Sequence, residues 1–141
     1  MPTPQISITI LYKNTSQSEV SLFMQPRQEG NLLKGRLEFP GGKIKPGETP
    51  QIAAARECQE ECSIKLDPEK LSLFKIYDVE GENSKVRLYA LLGKYDDNIE
   101  AGEWYPLRTE NPLQGIEDQI MPANHQIITD AVKYLSSLAS L

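Results

Sequence analysis

The clearest alternation of apolar and polar positions is Ile6-Ser7-Ile8-Thr9-Ile10, where β-branched residues alternate with small hydroxylated ones. A period of two in such residues predicts a β-strand. Residues 20–24 predict its hairpin neighbour, and Asn14-Thr15-Ser16-Gln17-Ser18 between them is turn material. Leu37-Glu38-Phe39 predicts a short strand running into Pro40-Gly41-Gly42, followed by a glycine-rich loop that closes with Pro46-Gly47. At Thr49-Pro50 the pattern changes. Threonine is a good N-cap, proline fits the first helical position, and no glycine or proline interrupts residues 52–62, so a helix is expected there. Ala54, Ala55, Cys58 and Cys62 are spaced to form one small-residue face, which implies close packing on a sheet. Residues 71–79 and 85–94 predict two strands around a turn at 80–84, and 103–107 predict another short strand. Residues 109–119 read as irregular and polar. A last helix is expected from about Ala123 to the end, with Ile127, Ile128, Ala131, Tyr134, Leu135 and Leu138 on its apolar side. Strands outnumber two flanking helices, the signature of a mixed α/β sandwich.

Composition narrows the class. The chain has 141 residues, without a repeat or a long linker, which predicts one domain over 1–141. Hydrophobic residues make up 39% and charged residues 25%, the balance of a globular protein. No apolar run approaches the roughly 18 residues of a membrane span, and residues 1–5 show no secretory leader pattern, so no membrane partner is expected. Fifteen Lys+Arg against twenty Asp+Glu give a net charge of −5, which argues against a platform for polymeric nucleic acid. The same surplus means that an anionic substrate would need a metal or a local basic patch. Cys58 and Cys62 lie too close on one helix to staple a fold. A zinc site would need more ligands, and the single histidine, His125, is distant in sequence. Both cysteines are expected to be small core residues of a cytoplasmic protein.

Candidate chemistry concentrates in residues 41–64. Glu57, Glu60 and Glu61 stand at i, i+3 and i+4, so a helix sets all three carboxylates on one face, where like charges destabilise an isolated helix. Such a cluster is either a solvated acidic face or a site for a hard divalent cation, Mg²⁺ or Mn²⁺. Arg56 falls on a different side of the helix from Glu57 and within i, i+4 reach of Glu60.

The spacing around the glutamates is more specific than the glutamates themselves. Gly42, Glu48, Arg56-Glu57, the apolar Cys58, Glu60-Glu61 and Ile64 stand at the intervals of the Nudix box, and the chain resembles that family. At residue frequencies of about 0.06, such a match arises by chance on the order of 10⁻⁷ per starting position. Ser63 departs from the pattern, because the family usually has glycine where the helix ends in a left-handed turn. Residues 37–44 and 47–50, together with Gly102-Glu103-Trp104 and Pro122-Ala123-Asn124, extend the resemblance to the MutT-like branch.

The resemblance implies a Nudix-type α/β/α sandwich with a mixed β-sheet and flanking helices. It implies a Mg²⁺-dependent hydrolase that converts nucleoside triphosphates, 8-oxo-dGTP above all, to monophosphate and pyrophosphate and so cleans the nucleotide pool. Glu57, Glu60 and Glu61 then hold the metal, joined by the carbonyl of Gly41. Glu48 is a supporting carboxylate, and Arg56 orients a box glutamate. The general base is a box glutamate or Glu100, in the loop before Gly102-Glu103-Trp104. Arg27 contacts the nucleotide, Asn124 reads the purine edge, and Phe39 lines the base pocket. Each has an ordinary alternative: Arg27 as a surface cation, Asn124 as a helix cap, Phe39 and Trp104 as packing. No catalytic role is expected for His125. The turn at Ser84-Lys85 lacks the arginine usual in this branch, and residues 109–119 are longer than its pattern. Both features leave open another nucleotide, such as a pyrimidine triphosphate, ADP-ribose or a dinucleotide, and also a non-catalytic binding module. A monomer or weak homodimer is expected.

Overall fold

A computed structural model describes residues 3–28, 33–80 and 85–139. The turn expected at 80–84 lies outside the described residues beyond its first position. The chain divides into two compact units, residues 1–10 with 40–93 and residues 11–39 with 94–141.

In the first unit, the start of strand β1 (Gln5–Lys13) pairs antiparallel with β4 (Gly41–Lys43), placing Ser7 opposite Gly42 and Ile8 opposite Gly41. The expected glycine-rich loop therefore begins as a strand, because two residues without side chains still offer their main-chain groups to β1. Strands β5 (Ser72–Glu80) and β6 (Lys85–Lys94) form an antiparallel hairpin, with an irregularity between Leu73 and Lys75. Helix α1 (Pro50–Cys62) starts as expected, with the Thr49 hydroxyl accepting from the Ile52 N–H at 3.1 Å. Its small face is buried: Ala53, Ala54, Ala55, Cys58 and Cys62. Ala54 and Ala55 pack with Leu71 and Leu91.

Alternation in β1 ordinarily leaves one face to water, yet Ser7 and Thr9 are both fully buried. The polar face of β1 is turned to α1. Ser7 Oγ donates to the Pro50 carbonyl at 2.7 Å and Thr9 Oγ1 to the Ala54 carbonyl at 3.5 Å, so the buried hydroxyls have partners. Cys58 and Cys62 are free and buried, and burial pushes their thiols up, Cys58 to about 11 and Cys62 to about 12.

In the second unit, β2 (Glu19–Pro26) pairs antiparallel with the end of β1, with β3 (Leu37–Glu38) and with β7 (Glu103–Arg108). Six of the eight residues of β2 are buried, which makes it the spine of this unit. Helix α2 (His125–Leu138) packs on β2 and buries Ile127, Ile128, Ala131, Val132 and Leu135. Tyr134 and Leu138, expected to face inward, are instead exposed at 43% each. The helix also starts later than Ala123, because Pro122–Asn124 form a separate 3-10 turn. Residues 109–119 are irregular as expected, ending in a second 3-10 turn, Glu117–Gln119.

Helix α1 ends on Ser63, whose backbone is left-handed at φ 58 and ψ 30. A side chain at such a position costs about 1 kcal/mol relative to glycine. The Ser63→Gly variant is expected to gain about 1 kcal/mol in urea unfolding, with an unchanged m-value.

Candidate active site

The box residues are assembled in the first unit around Arg56. Its side chain is 21% exposed, and each of its five N–H donors has an acceptor. Nε donates to Glu48 Oε2 at 2.7 Å and Nη2 to Glu48 Oε1 at 2.9 Å, a two-pronged pair. Nη1 serves Glu57 Oε1 at 2.8 Å and Glu60 Oε2 at 3.3 Å. Nη2 also donates to the carbonyl of Lys43, on β4, at 3.0 Å. Arg56 was expected on a different side of the helix from Glu57. The adjacent pair nevertheless meet, because the arginine side chain is long enough to swing its fork across the helix surface.

Glu48 is held from two sides. Besides the arginine, the Lys45 N–H donates to its Oε1 at 2.8 Å. These bonds hold its carboxyl at about 2, the Arg56 fork contributing most, and Glu48 in turn raises Arg56 further above its already high value. Glu48 and Glu57 are mostly shielded, with side chains 15% and 16% exposed, whereas Glu60 is open at 55%.

Strand β4 meets the same helix face. Glu61 Oε2 accepts from the Gly41 N–H at 3.0 Å. A Cβ on Gly42 would lie 2.5 Å from Glu57 Oε1, and one on Gly41 would lie 2.3 Å from the Ser7 carbonyl oxygen. At Gly41 the obstacle is the main chain of β1, whereas at Gly42 it is the carboxylate of Glu57, which a side chain would displace.

Among the described residues, no three acidic, histidine or cysteine side chains converge at metal-ligand spacing. Two of the expected ligands, Glu57 and Glu60, are drawn toward Arg56, and the third, Glu61, toward Gly41. The donor chemistry nonetheless fits a divalent cation. Glu57, Glu60 and Glu61 supply hard carboxylate oxygens along one helix, beside the two glycines of β4.

The other candidates lie in the second unit, and β3 gathers three of them. Arg27, just past β2, pairs with Glu38 at 3.2 Å and donates its N–H to the Arg36 carbonyl. Phe39 follows Glu38 and is buried to 4%. The Met121 N–H donates to the Leu37 carbonyl at 2.9 Å, and the Asn124 N–H to the Met121 carbonyl at 2.8 Å, which ties the 3-10 turn bearing Asn124 to β3. Asn124 is buried at 8% and makes no side-chain capping bond, so a helix cap does not account for it. Glu38 is a functional candidate that the sequence reading lacks. Its signal was its place two residues after Arg36 in a strand that returns beside Arg27. Glu100 is exposed in the loop before β7. His125 Nε2 lies 3.1 Å from the Glu117 carbonyl and 3.3 Å from that of Ile120, a structural role. Trp104 packs edge-on against Phe23 at 5.9 Å.

This arrangement of box, helix and strand has relatives among known proteins. The NUDIX domain family matches residues 2–123. The 8-oxo-dGTP diphosphatase of Escherichia coli (strain K12) is 32% identical over 130 residues, covering 88% of this chain and 92% of that protein. A NUDIX hydrolase from Nitrosomonas europaea superposes with a TM-score of 0.71 at 16% identity, covering 95% of this chain and 91% of that one. A bifunctional NMN adenylyltransferase/ADP ribose pyrophosphatase from Francisella tularensis, solved with AMP and a Mn ion, gives 0.70 at 19% identity. The match covers 95% of this chain but only 42% of the Francisella chain. The chain belongs to the Nudix family and has its α/β/α sandwich fold with a mixed sheet. It is a Nudix hydrolase, of a family that acts on phosphoanhydride bonds of nucleotide substrates and generally uses a divalent metal. Among the described residues no helix is long and apolar enough to cross a membrane.

Two outcomes follow from the site's geometry. The Glu48 carboxyl sits at about 2, below its ordinary 4.5, so its ion pair stabilises the fold fully above about pH 4.5 and less as pH falls toward 2. The stability gap between the wild type and Glu48→Gln, read by urea unfolding, is expected to be constant from pH 7 to 5 and to shrink toward pH 2.5. Gly42→Ala is expected to displace the Glu57 carboxylate and lower kcat by roughly 10²-fold in a folded protein, as misplacement by about 1 Å can.

Proposed function

We propose that the protein is a Mg²⁺-dependent nucleoside triphosphate pyrophosphohydrolase whose preferred substrate is 8-oxo-dGTP, removing an oxidised nucleotide before it enters DNA. The observation that carries this reading is the set of Glu57, Glu60 and Glu61 on α1, with Arg56 joining α1 to Glu48 and to β4. The likeness to the Escherichia coli enzyme over most of both chains supports the choice of substrate.

Glu57, Glu60 and Glu61 would hold the cation, with the Gly41 carbonyl as a further ligand. When bound, the cation neutralises phosphate charge and acidifies a water. Glu48 and Arg56 orient the box glutamates. Water adds to the β-phosphorus while the bond from that phosphorus to the α–β bridging oxygen breaks. The nucleoside monophosphate leaves with the bridging oxygen, the β and γ groups leave as pyrophosphate, and the water's proton passes to a carboxylate. Glu61 and Glu100 are the candidates for that proton.

Base recognition falls to the group around β3. An amide such as that of Asn124 both donates and accepts, so it can read the altered edge of an oxidised purine. Arg27, held by Glu38, supplies a positive charge to the nucleotide, and Phe39 an apolar wall. No polymeric nucleic acid partner is expected, given the net charge of −5.

A substrate panel with Mg²⁺, scoring pyrophosphate against phosphate, tests this reading. The expected result is pyrophosphate release, fastest from 8-oxo-dGTP and abolished by a chelator. Equal turnover of dGTP and 8-oxo-dGTP would overturn the base preference, as would faster turnover of a pyrimidine triphosphate, ADP-ribose or a dinucleotide. Glu61→Gln is expected to lose roughly 10²-fold or more in kcat. Wild-type turnover and Mg²⁺ affinity in that variant would remove Glu61 from the site.

A further inference from the structure

Strand β5 ends its sheet, and among the described residues β6 is its sole strand partner. None of its nine residues is buried and six are exposed. The exposed ones include two large apolar side chains, Leu73 at 44% and Ile76 at 46%. A long edge with apolar side chains is a template for another strand, and proteins ordinarily guard it with outward-pointing charges. Here the two central charges lie along the strand surface instead. The Lys75 ammonium stands 5.4 Å from the ring centroid of Tyr77, and Asp78 Oδ1 accepts from Arg87 Nε at 3.2 Å across the hairpin. The irregularity in β5 adds to the apolar surface. Leu73 pairs with Leu91 and Lys75 with Ala90, so Phe74 is the extra residue of a bulge. The bulge returns Leu73 and Ile76 to one face, that of Leu91 and Tyr89 on β6. Leu91 and Tyr89 pack there with Ala54 and Ala55 of α1, whereas Leu73 and Ile76, one strand further out, stay exposed.

Two identical strands that pair antiparallel about a two-fold axis set one residue opposite its own copy. The central positions of β5 differ in what that brings together. An axis at Lys75 sets ammonium against ammonium, and one at Asp78 sets carboxylate against carboxylate, both unfavourable. An axis at Tyr77 sets the apolar Ile76 opposite the partner's Asp78. An axis at Ile76 sets Ile76 against its own copy and Lys75 opposite the partner's Tyr77, where cation and ring attract. The two Asp78 carboxylates then stand four positions apart along the strands, about 13 Å.

We propose that β5 is a self-association surface, on which a second copy of this chain adds its own β5 antiparallel about a two-fold axis at Ile76. The occupant is a second copy because the charges and apolar side chains of the strand complement themselves in that register. The contact is confined to one strand and its flanking side chains, which places it among small, weak interfaces. It involves none of the box carboxylates, so it stands apart from the reaction the protein catalyses.

Sedimentation equilibrium of the full chain over a concentration series tests this. The mass is expected to rise from 15.9 kDa toward twice that value. Ile76→Lys sets ammonium against ammonium at the axis and is expected to weaken dimerisation roughly tenfold or more, with the urea midpoint of the monomer unshifted. Cysteine cross-linking reads the register. Directly opposite residues have Cβ atoms about 4.5–5.5 Å apart, so Ile76→Cys is expected to form an intermolecular disulfide under mild oxidation. Tyr77→Cys is expected to stay uncross-linked, because its copies stand two positions out of register with Cα atoms about 8 Å apart. The wild type, whose Cys58 and Cys62 are both buried, is the control. A mass of 15.9 kDa at every concentration would overturn the proposal. So would a dimer that Ile76→Lys leaves intact, or equal cross-linking of the two cysteine variants. Should Ile76→Lys fail to fold, the cross-linking decides.

Discussion

Helix α1 and strand β4 approach so closely that a Cβ at Gly42 would meet the Glu57 carboxylate, while one at Gly41 would meet β1 at Ser7 and Ile8. The rest of the first unit is arranged around that approach. Ala53 and Ala54 are wholly buried with nothing larger than a methyl group. The neighbouring strand can then present Ser7 and Thr9, whose hydroxyls donate to helix carbonyls. A larger residue at these helix positions would overpack the contact, at a cost of roughly 1–3 kcal/mol. The same approach brings Glu61 to the Gly41 N–H and Glu57 against Gly42. Close packing and the placing of the carboxylates are therefore one constraint.

The close approach creates an electrostatic difficulty that Arg56 resolves. Four carboxylates, Glu48, Glu57, Glu60 and Glu61, lie within one loop and one helix face, and their mutual repulsion opposes folding. A single guanidinium touches three of them, and its remaining bond goes to the Lys43 carbonyl, so it also ties the helix to β4. Lysine could not substitute, since three donors on a point charge cannot serve five acceptors in a plane. Glu48 and Glu57, mostly shielded from water, gain most from the fork, whereas Glu60, open to solvent, meets it at the longest distance of the three. Of the three carboxylates that Arg56 touches, that gradient leaves Glu60 the one most open to solvent.

Much of this was legible in the chain and some was not, for reasons tied to particular residues. Thr49-Pro50 announced the helix start, and the intervals from Gly42 to Ile64 announced the family, because both are local patterns. Gly41–Lys43 read as loop because glycine carries no strand preference, yet its main chain pairs with β1. Ser7 and Thr9 read as a strand, but alternation cannot say that the polar face is covered by a helix 43 residues away in sequence. The contact between Arg56 and Glu57 escaped a reading based on helical wheels, since a wheel places Cβ atoms and not the end of a long side chain. Tyr134 and Leu138 fit the apolar stripe of α2 and are exposed all the same, because a helical period marks a face and does not say how much of it is covered.

In the second unit, recognition candidates come together through main-chain bonds more than through their side chains. Strand β3 is only two residues long. Its Leu37 carbonyl takes the Met121 N–H, and Leu37 also bridges Ile120 in parallel, so the turn carrying Asn124 is registered against it. Its Glu38 takes Arg27, and Phe39 continues the chain. Short strands with fixed register are suited to this work, because main-chain bonds set positions to within tenths of an ångström while the side chains can vary. Along the chain only Phe39 and Pro40 separate Glu38 from Gly41. The segment that organises the candidate base-recognition residues therefore runs directly into the strand that organises the carboxylates. Substitutions at Asn124, Arg27 or Glu38 can leave the main-chain pairing of Gly41 and Gly42 with β1 intact, because none of these side chains takes part in that pairing.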